Sequence, residues 1–264
     1  MATKNKLSTQ AFLAGVRDYL PIDASVREID SQGQPGRPVR FGQFNENTFY
    51  QFDADTLCAL GHAIEDLALE EADGDIFASF QFLKNIEPHR ERYEQLAATI
   101  ETVTVVGGGP RPRPIRGLRF LPDRRGAVRD YWIVLYEGRR EQALVAGRQM
   151  APERLFEDRK FLGLFTFNPQ VIARFRQDLL EAAAGRGKSL GEFERLCALD
   201  QAAKQIQDEF VRGRASVEQA MQRLLRAGGA GHDAHFADEL EKGLAGLLQW
   251  RTRLPEMLQR ARGH

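Results

Sequence analysis

"DADTLCALGHAIEDLALEEADGDIFASFQF", residues 53–82, changes its periodicity part-way along. Leu57, Leu60, Ile64 and Leu67 recur at i, i+3, i+7 and i+10, the stripe of an amphipathic helix that Asp53 or Asp55 can cap. Gly74 closes the helix, and "DIFASFQF" follows as a buried strand. A helix handed directly to a strand is a building unit of α/β and α+β sheets.

The flanking sequence extends that unit. Upstream, Phe12, Val16 and Leu20 are spaced four apart on a short helix that Pro21 stops, and "SVREI" and "PVRF" bracket a turn-rich hairpin. Downstream, Pro88 can open a helix through Tyr93, Leu96 and Ile100, followed by the β-branched strand "TVTVVGGG". "GLRFLP", "DYWIVLYEG", "REQALVAGRQ" and "FLGLFTF" read as further strands, the middle two joined by a turn at Glu137, Gly138 and Arg139. Asn168-Pro169 is a cap followed by a first-position proline for the helix "PQVIARFRQDLLEAA". The expected class is α/β or α+β, a mixed sheet flanked by helices.

From Gly185 the pattern is wholly helical. "SLGE" (189–192) and "SVEQ" (216–219) have capping-box form. They predict one helix burying Phe193, Leu196, Ala203, Ile206 and Phe210, a second with Met221, Leu224 and Leu225, and a third with Phe236, Leu240, Leu244 and Leu247. The expected organisation is an N-terminal helix and arm (1–48), a sheet domain (49–184) and a helical appendage (185–264). That appendage can cap its own sheet domain or assemble a homodimer.

Composition narrows the function classes. Lys plus Arg equals Asp plus Glu at 37 each, so there is no global basic field and nucleic acid is not expected as a partner. Two cysteines, Cys58 and Cys197, form no CxxC or zinc spacing. The start is too polar for a signal peptide, and no apolar run reaches the ~18 residues of a membrane span. A soluble, reduced, cytoplasmic protein is expected, with no membrane partner.

The blocks "LCALGHAIEDLAL", "IFASFQ", "YEQLAATIETVTVVG", "YWIVLYEG", "ALVAGRQ" and "FLGLFTFNPQVI" follow one another in the order of a known module. Together they resemble the DICT sensory domain of bacterial diguanylate cyclases and two-component proteins. Ala78 stands where that family commonly has glycine, and Asn168 where it has aspartate. The resemblance implies a sensor or ligand-binding module in signal transduction, with light responses proposed for relatives and no known ligand. No GGDEF or EAL stretch is present. Output is therefore expected through the helical tail or a separate downstream signalling protein.

On the helix, His62, Glu65 and Asp66 fall opposite the leucine stripe, together with Cys58 and Leu69. Cysteine and leucine are poor surface residues, so something is expected to cover this second face. His62 and Asp66 stand one turn apart, within reach of a charge-assisted contact, but a metal site lacks a legible third ligand, and none is assigned. His89, Arg90 and Arg92 read as a solvated helix face. His232, Asp233 and His235 make a loose HxxH pair at a helix start, and a cap with solvated side chains is the simpler reading. "GGGPRPRPIRGLR" offers Arg111, Arg113 and Arg116 to anions, yet it has no phosphate-loop spacing and reads as an extended, solvated loop.

In the strands, Trp132, Val134 and Tyr136 share one face, as do Phe161, Gly163, Phe165 and Phe167. Core packing is the default for such residues, although Gly163 among phenylalanines can leave room for a planar ligand. The expected function is a non-enzymatic sensor for an unknown small molecule or a chromophore-bearing partner, with no cofactor assigned. His62, Glu65 and Gln81 would hydrogen-bond the ligand beside Asp66, Phe80 and Trp132 would stack on it, and Arg148 would pair with an anionic group. Two alternatives stay open. One is an enzyme using His62, Glu65 and Asp66 as acid and base; the other is an interaction scaffold without a ligand.

Overall fold

The computed structural model describes residues 8–20, 25–40, 42–151, 158–186 and 189–226. The chain divides into two compact units, residues 1–29 with 35–194, and residues 30–34 with 195–264. The first unit holds α1 (Thr9–Val16), β1 (Ser25–Ile29), β2 (Pro35–Arg40), β3 (Tyr50–Asp53), α2 (Ala54–Glu71) and β4 (Asp75–Phe82). A 3-10 helix (Leu83–His89), α3 (Arg90–Thr99), β5 (Thr102–Gly108), β6 (Leu118–Pro122), β7 (Tyr131–Glu137) and β8 (Gln142–Gln149) follow. They are succeeded by β9 (Lys160–Thr166), α4 (Pro169–Ala183) and the start of α5 (Gly191–Arg226).

Nine strands form one sheet in the order β2-β1-β3-β9-β8-β7-β4-β5-β6. β4, β5 and β6 run parallel, whereas β7, β8 and β9 pair antiparallel. β4 is the junction, parallel to β5 on one side and antiparallel to β7 on the other. This is the mixed α+β class that the helix-to-strand stretch announces. One face of the sheet, with Ala78, Val134, Val145 and Phe165, buries against Leu57, Leu60 and Ile64 of α2. Strand alternation sends Ile133, Leu135, Leu144 and Leu164 to the other face, where α4 buries Ile172, Phe175 and Leu179.

Local signals explain the element ends. Asp53 accepts the Thr56 N–H at 2.8 Å and starts α2. Ala72 closes it in the left-handed region, at φ 52°. Gly74 then has φ +74°, and a Cβ there would lie 2.3 Å from the Glu137 carbonyl oxygen, so both conformation and packing require glycine. Asn168 accepts the Gln170 N–H at 3.0 Å, with Pro169 at the first helical position. Asn168→Ala is expected to cost about 1 kcal/mol of stability in urea titration, since that amide then has no side-chain cap.

The arginine–proline loop also has a geometric task. β6 lies parallel to β5, so the nine residues 109–117 must return the chain along the length of a seven-residue strand. An extended, proline-rich chain gains roughly 3.1 Å per residue and a strand roughly 3.3 Å, so the loop's reach of about 28 Å exceeds the ~23 Å required. Arg90 pins it by donating to the Arg113 carbonyl at 2.7 Å.

Several expectations need correction. The four-residue β3 passes unnoticed in sequence, although Tyr50 and Phe52 are both buried on it. Pro88 lies inside the 3-10 helix, and α3 begins at Arg90. Gly163 leaves no ligand space: a Cβ there would sit 2.6 Å from the Ala146 oxygen and 3.1 Å from the Phe52 ring.

In the second unit, α5 runs unbroken through the predicted break before Ser216. A lone glycine, Gly213, costs a helix only about 1 kcal/mol. Ion pairs one turn apart, Lys204–Asp200 at 2.8 Å and Arg214–Glu218 at 2.7 Å, support it on either side. Of its predicted core, Phe193 is buried, Leu196 and Ile206 are half-buried, and Ala203 and Phe210 are exposed. Ser31 donates to Asp208 at 2.6 Å within this unit. The side chains of Met221, Leu224 and Leu225, the predicted third helix, the His232–His235 pair and Pro21 lie outside the described residues.

Candidate functional site

β4, β7, β8 and β9 end or begin around one cavity of about 350 Å³. Phe80, Tyr131, Trp132, Phe161 and Pro88 supply apolar wall, and Gln81, Asn85, His89, Arg129, Asp130, Gln149 and Arg159 supply polar groups. Cys58 of α2 completes the lining together with Ser79. An apolar hollow with a few convergent polar groups is the usual form of a small-molecule site.

Short-range bonds hold these walls. Ser79 Oγ donates to the Tyr131 carbonyl at 3.1 Å and accepts the Ile133 N–H at 2.9 Å, fixing the start of β7 against β4. The buried Asp123 carboxylate accepts the Ala127 and Val128 amides at 3.0 and 2.8 Å. That turn delivers Arg129, Asp130 and Tyr131 to the rim. Trp132 meets Phe161 edge-on at 6.1 Å, and Phe80 packs on Tyr93 at 5.7 Å. Tyr131 also donates to Glu194 Oε1 at 2.9 Å, in the first turn of α5.

Behind the Cys58–His89 wall lies a chain of charged groups. His62 Nε2 is 3.3 Å from Cys58 Sγ, and His62 Nδ1 is 2.9 Å from Glu65 Oε2. Arg92 of α3 donates through Nε to the same carboxylate oxygen, and through Nη2 to the His62 carbonyl and to Asp66, both at 2.7 Å. The Tyr19 hydroxyl donates to Asp66, its ring lies 5.2 Å from His62, and the Arg92 guanidinium lies 5.8 Å from the Tyr19 ring centre. Tyr19, Arg92 and His89 therefore cover the second face of α2. His89 is shared by the cavity, by a crevice of about 10 Å³ beside His62 and by an outer cleft of about 560 Å³.

The charges follow from this arrangement. Hydrogen bonds to Cys58 and then to Glu65 raise the His62 pKa to about 9, against the opposing effect of burial. Burial alone would push the Glu65 carboxyl up, but the His62 hydrogen bond and the Arg92 charge outweigh it and hold it low. Burial and the neighbouring His62 charge push His89 down, so the two histidines, 5.8 Å apart, hold opposite protonation states at neutral pH. Tyr93 rises well above the ordinary tyrosine value, first through burial and then through Glu65.

Residues 41–149 match the DICT family model. That family is described as a sensory domain in diguanylate cyclases and two-component systems. No curated protein matches the chain. One solved structure with partial likeness is the polyphosphate kinase from Porphyromonas gingivalis, at 12% identity and TM-score 0.35. The alignment covers 47% of this chain and 22% of that one, and a likeness this weak carries no argument about fold or function.

The DICT segment contains the cavity lining from Cys58 to Gln149, while Arg159 and Phe161 come from beyond it. Of the residues singled out in sequence, Phe80, Gln81 and Trp132 line the cavity. His62 and Glu65 sit one layer behind it, at the crevice, and Asp66 is engaged by Arg92 and Tyr19. The structure does not bring Arg148 to the cavity. Its guanidinium pairs with Glu194 and lies over the Phe193 ring at 5.6 Å. The solvated-face reading of His89 and Arg92 is also corrected, because His89 is a cavity wall and Arg92 ties three groups of α2. No local pattern marks Arg92, which stands 27 positions from Glu65. Among the described residues, no three His, Cys, Asp or Glu side chains converge as a metal site, and no helix is long and apolar enough to cross a membrane.

Proposed function

We propose that this chain is a cytoplasmic sensor in signal transduction, taking a small planar, anionic molecule into the Phe80–Trp132–Phe161 cavity. The observation that carries this reading is the double attachment of Tyr131. It lines the cavity and donates to Glu194 at 2.9 Å, while its ring packs edge-on against Phe193 at 5.2 Å, in the first turn of α5. A ligand that displaces the Tyr131 ring must disturb the start of the helix leaving the sheet. The match to a sensory family supports the same assignment.

Phe80 and Trp132 stack on the ligand, and Gln81 and Asn85 hydrogen-bond to it. Arg129 and Arg159 stand in the lining beside Asp130, and a guanidinium is suited to an anionic group. His62, Glu65 and Asp66 brace the α2 wall instead of touching ligand directly. The segment 185–264 carries the output as a change in helix pairing, to a second copy or to a downstream signalling protein. Catalytic turnover and nucleic-acid binding form no part of this reading.

The test uses 8-anilinonaphthalene-1-sulfonate, an aromatic anion with a flat naphthalene ring, with full-length protein. Saturable binding at one site is expected, weakened about tenfold by Phe80→Ala and by Trp132→Ala, as loss of an aromatic wall implies. Binding that neither substitution alters, in variants with wild-type circular dichroism, would place the probe elsewhere and remove the cavity from the proposal.

A further inference from the structure

The Cys58–His62–Glu65 row has a second chemical meaning. The three residues stand at i, i+4 and i+7 on α2, so one helical face presents a sulfur, an imidazole and a buried carboxylate in line. Sγ lies 3.3 Å from Nε2, and Nδ1 lies 2.9 Å from a carboxylate that is only 3% exposed. This is the order of parts in an activated nucleophile: the attacking atom, a proton-handling ring and a third group that orients the ring. Arg92 donates to the same Glu65 oxygen and to the His62 carbonyl, so the carboxylate and the helix backbone at His62 are both tied to α3.

The sulfur also faces somewhere. Cys58 is half-buried and lines the 350 Å³ cavity, whereas the chain's other cysteine, Cys197, is buried. Aromatic wall and neutral His89 surround the sulfur's side of the cavity, a setting that admits an uncharged, unsaturated organic molecule. The row is thus more than a cysteine next to a histidine. It joins a positioned relay to an accessible space of ligand size.

We infer that Cys58 is a covalent capture site for an electron-poor alkene, such as an α,β-unsaturated carbonyl compound, entering the cavity. The step is a redox-neutral addition. The thiolate form of Cys58, its proton lost to solvent, attacks: Sγ forms a bond to the β-carbon, the C=C π pair moves to the α-carbon, and that carbon takes the Nε2 proton of the His62 imidazolium. His62 then recovers a proton from solvent, and Glu65 keeps the ring oriented through Nδ1. No oxidant or further co-reactant is consumed. The product is a thioether seated between Trp132 and His89, so the cavity reports an electrophile by retaining it.

This inference rests on the cavity reading, but its test does not require the same ligand. Full-length Cys197→Ser protein is mixed with acrylamide at neutral pH, and adduct formation is followed by intact mass and peptide mapping. The expected result is one adduct, on Cys58, forming about tenfold faster than on glutathione, and slowed severalfold by His62→Gln. A Cys58 rate no faster than that of glutathione overturns the inference, whether or not His62→Gln folds. Rapid Cys58 addition without anilinonaphthalene binding would sink the planar-anion proposal and leave this one standing. Anilinonaphthalene binding with slow addition would do the reverse.

Discussion

Arg92→Met is expected to lower the unfolding free energy by about 3 kcal/mol, the largest single effect outside the apolar core. The Glu65 side chain is only 4% exposed and is ionised, with the Arg92 guanidinium and the His62 ring on one of its oxygens. Methionine retains much of the arginine stem's packing but removes the charge and three donated hydrogen bonds, to Glu65, the His62 carbonyl and Asp66. The carboxylate would then keep His62 and Tyr93, which is why the expected cost sits at the lower end of what breaking a buried pair does. Urea titration of Arg92→Met, Glu65→Gln and the double variant checks it. A double variant less damaged than the sum of the singles is required, because the singles each strand a partner. Strict additivity would mean that the ion pair contributes nothing to the coupling.

The second expected result is a loss of stability on the alkaline side. His62 has a folded pKa of about 9 against an ordinary value of 6.5. A raised pKa means that the folded state holds the proton more tightly, so its contribution is complete below pH 6.5 and disappears as pH rises through about 9. With 22% of the side chain still in water, the full shift is not realised as stability, and a loss on the order of 1–2 kcal/mol is expected across that window. The groups facing the ring are Cys58, Glu65 and Asp66 on its own helix, Arg92 on α3, His89 before it and Tyr19 after α1. Glu65 stays ionised throughout, and the depressed His89 acts below pH 6.5 with the opposite sign. Chemical denaturation at pH 6.5, 7.5 and 9 checks the slope. His62→Gln should flatten it, and Cys58→Ala, which removes the leading cause of the shift, should reduce it. A wild-type slope that His62→Gln leaves unchanged would assign the effect to another group.

These two expectations share a cause: α2 carries a polar face that is itself packed. Substituting that face therefore acts on stability, on the cavity wall and on Cys58 together. The binding, alkylation and stability measurements have to be read side by side. A variant that loses probe binding but keeps the alkaline slope has damaged the cavity alone. One that loses both has loosened α2.

Much of this was legible before any coordinates. The leucine stripe, the Asp53 cap, the strand "DIFASFQF" and the Asn168-Pro169 start depend on neighbours within one helical turn or one strand repeat, and each forms where its pattern lies. Five of the six ordered DICT-like blocks, from Leu57 to Gln149, fall inside the matched residues 41–149, and the sixth, 161–172, lies beyond them. Even the unsuitability of Cys58 for a wet helix face was a local observation. β3 escaped because four residues are too few to establish a period, and the break in α5 was over-read because a capping pattern does not stop a helix without a breaker.

What covers the second face of α2 was decided only by the tertiary structure. Arg92 stands 27 residues from Glu65, and Tyr19 stands 47 from Asp66. Both contacts exist because α1 and α3 pack beside α2 on the same side of the sheet. The cavity is assembled from four strands and α2 in the same way, and Arg148 is lost to it because strand alternation sends its side chain to the face where Glu194 waits. Helical and strand periodicities reach a few residues along the chain. Which distant charge meets a half-buried histidine depends on how the elements cross the sheet, and that is set by burial of the whole apolar surface at once.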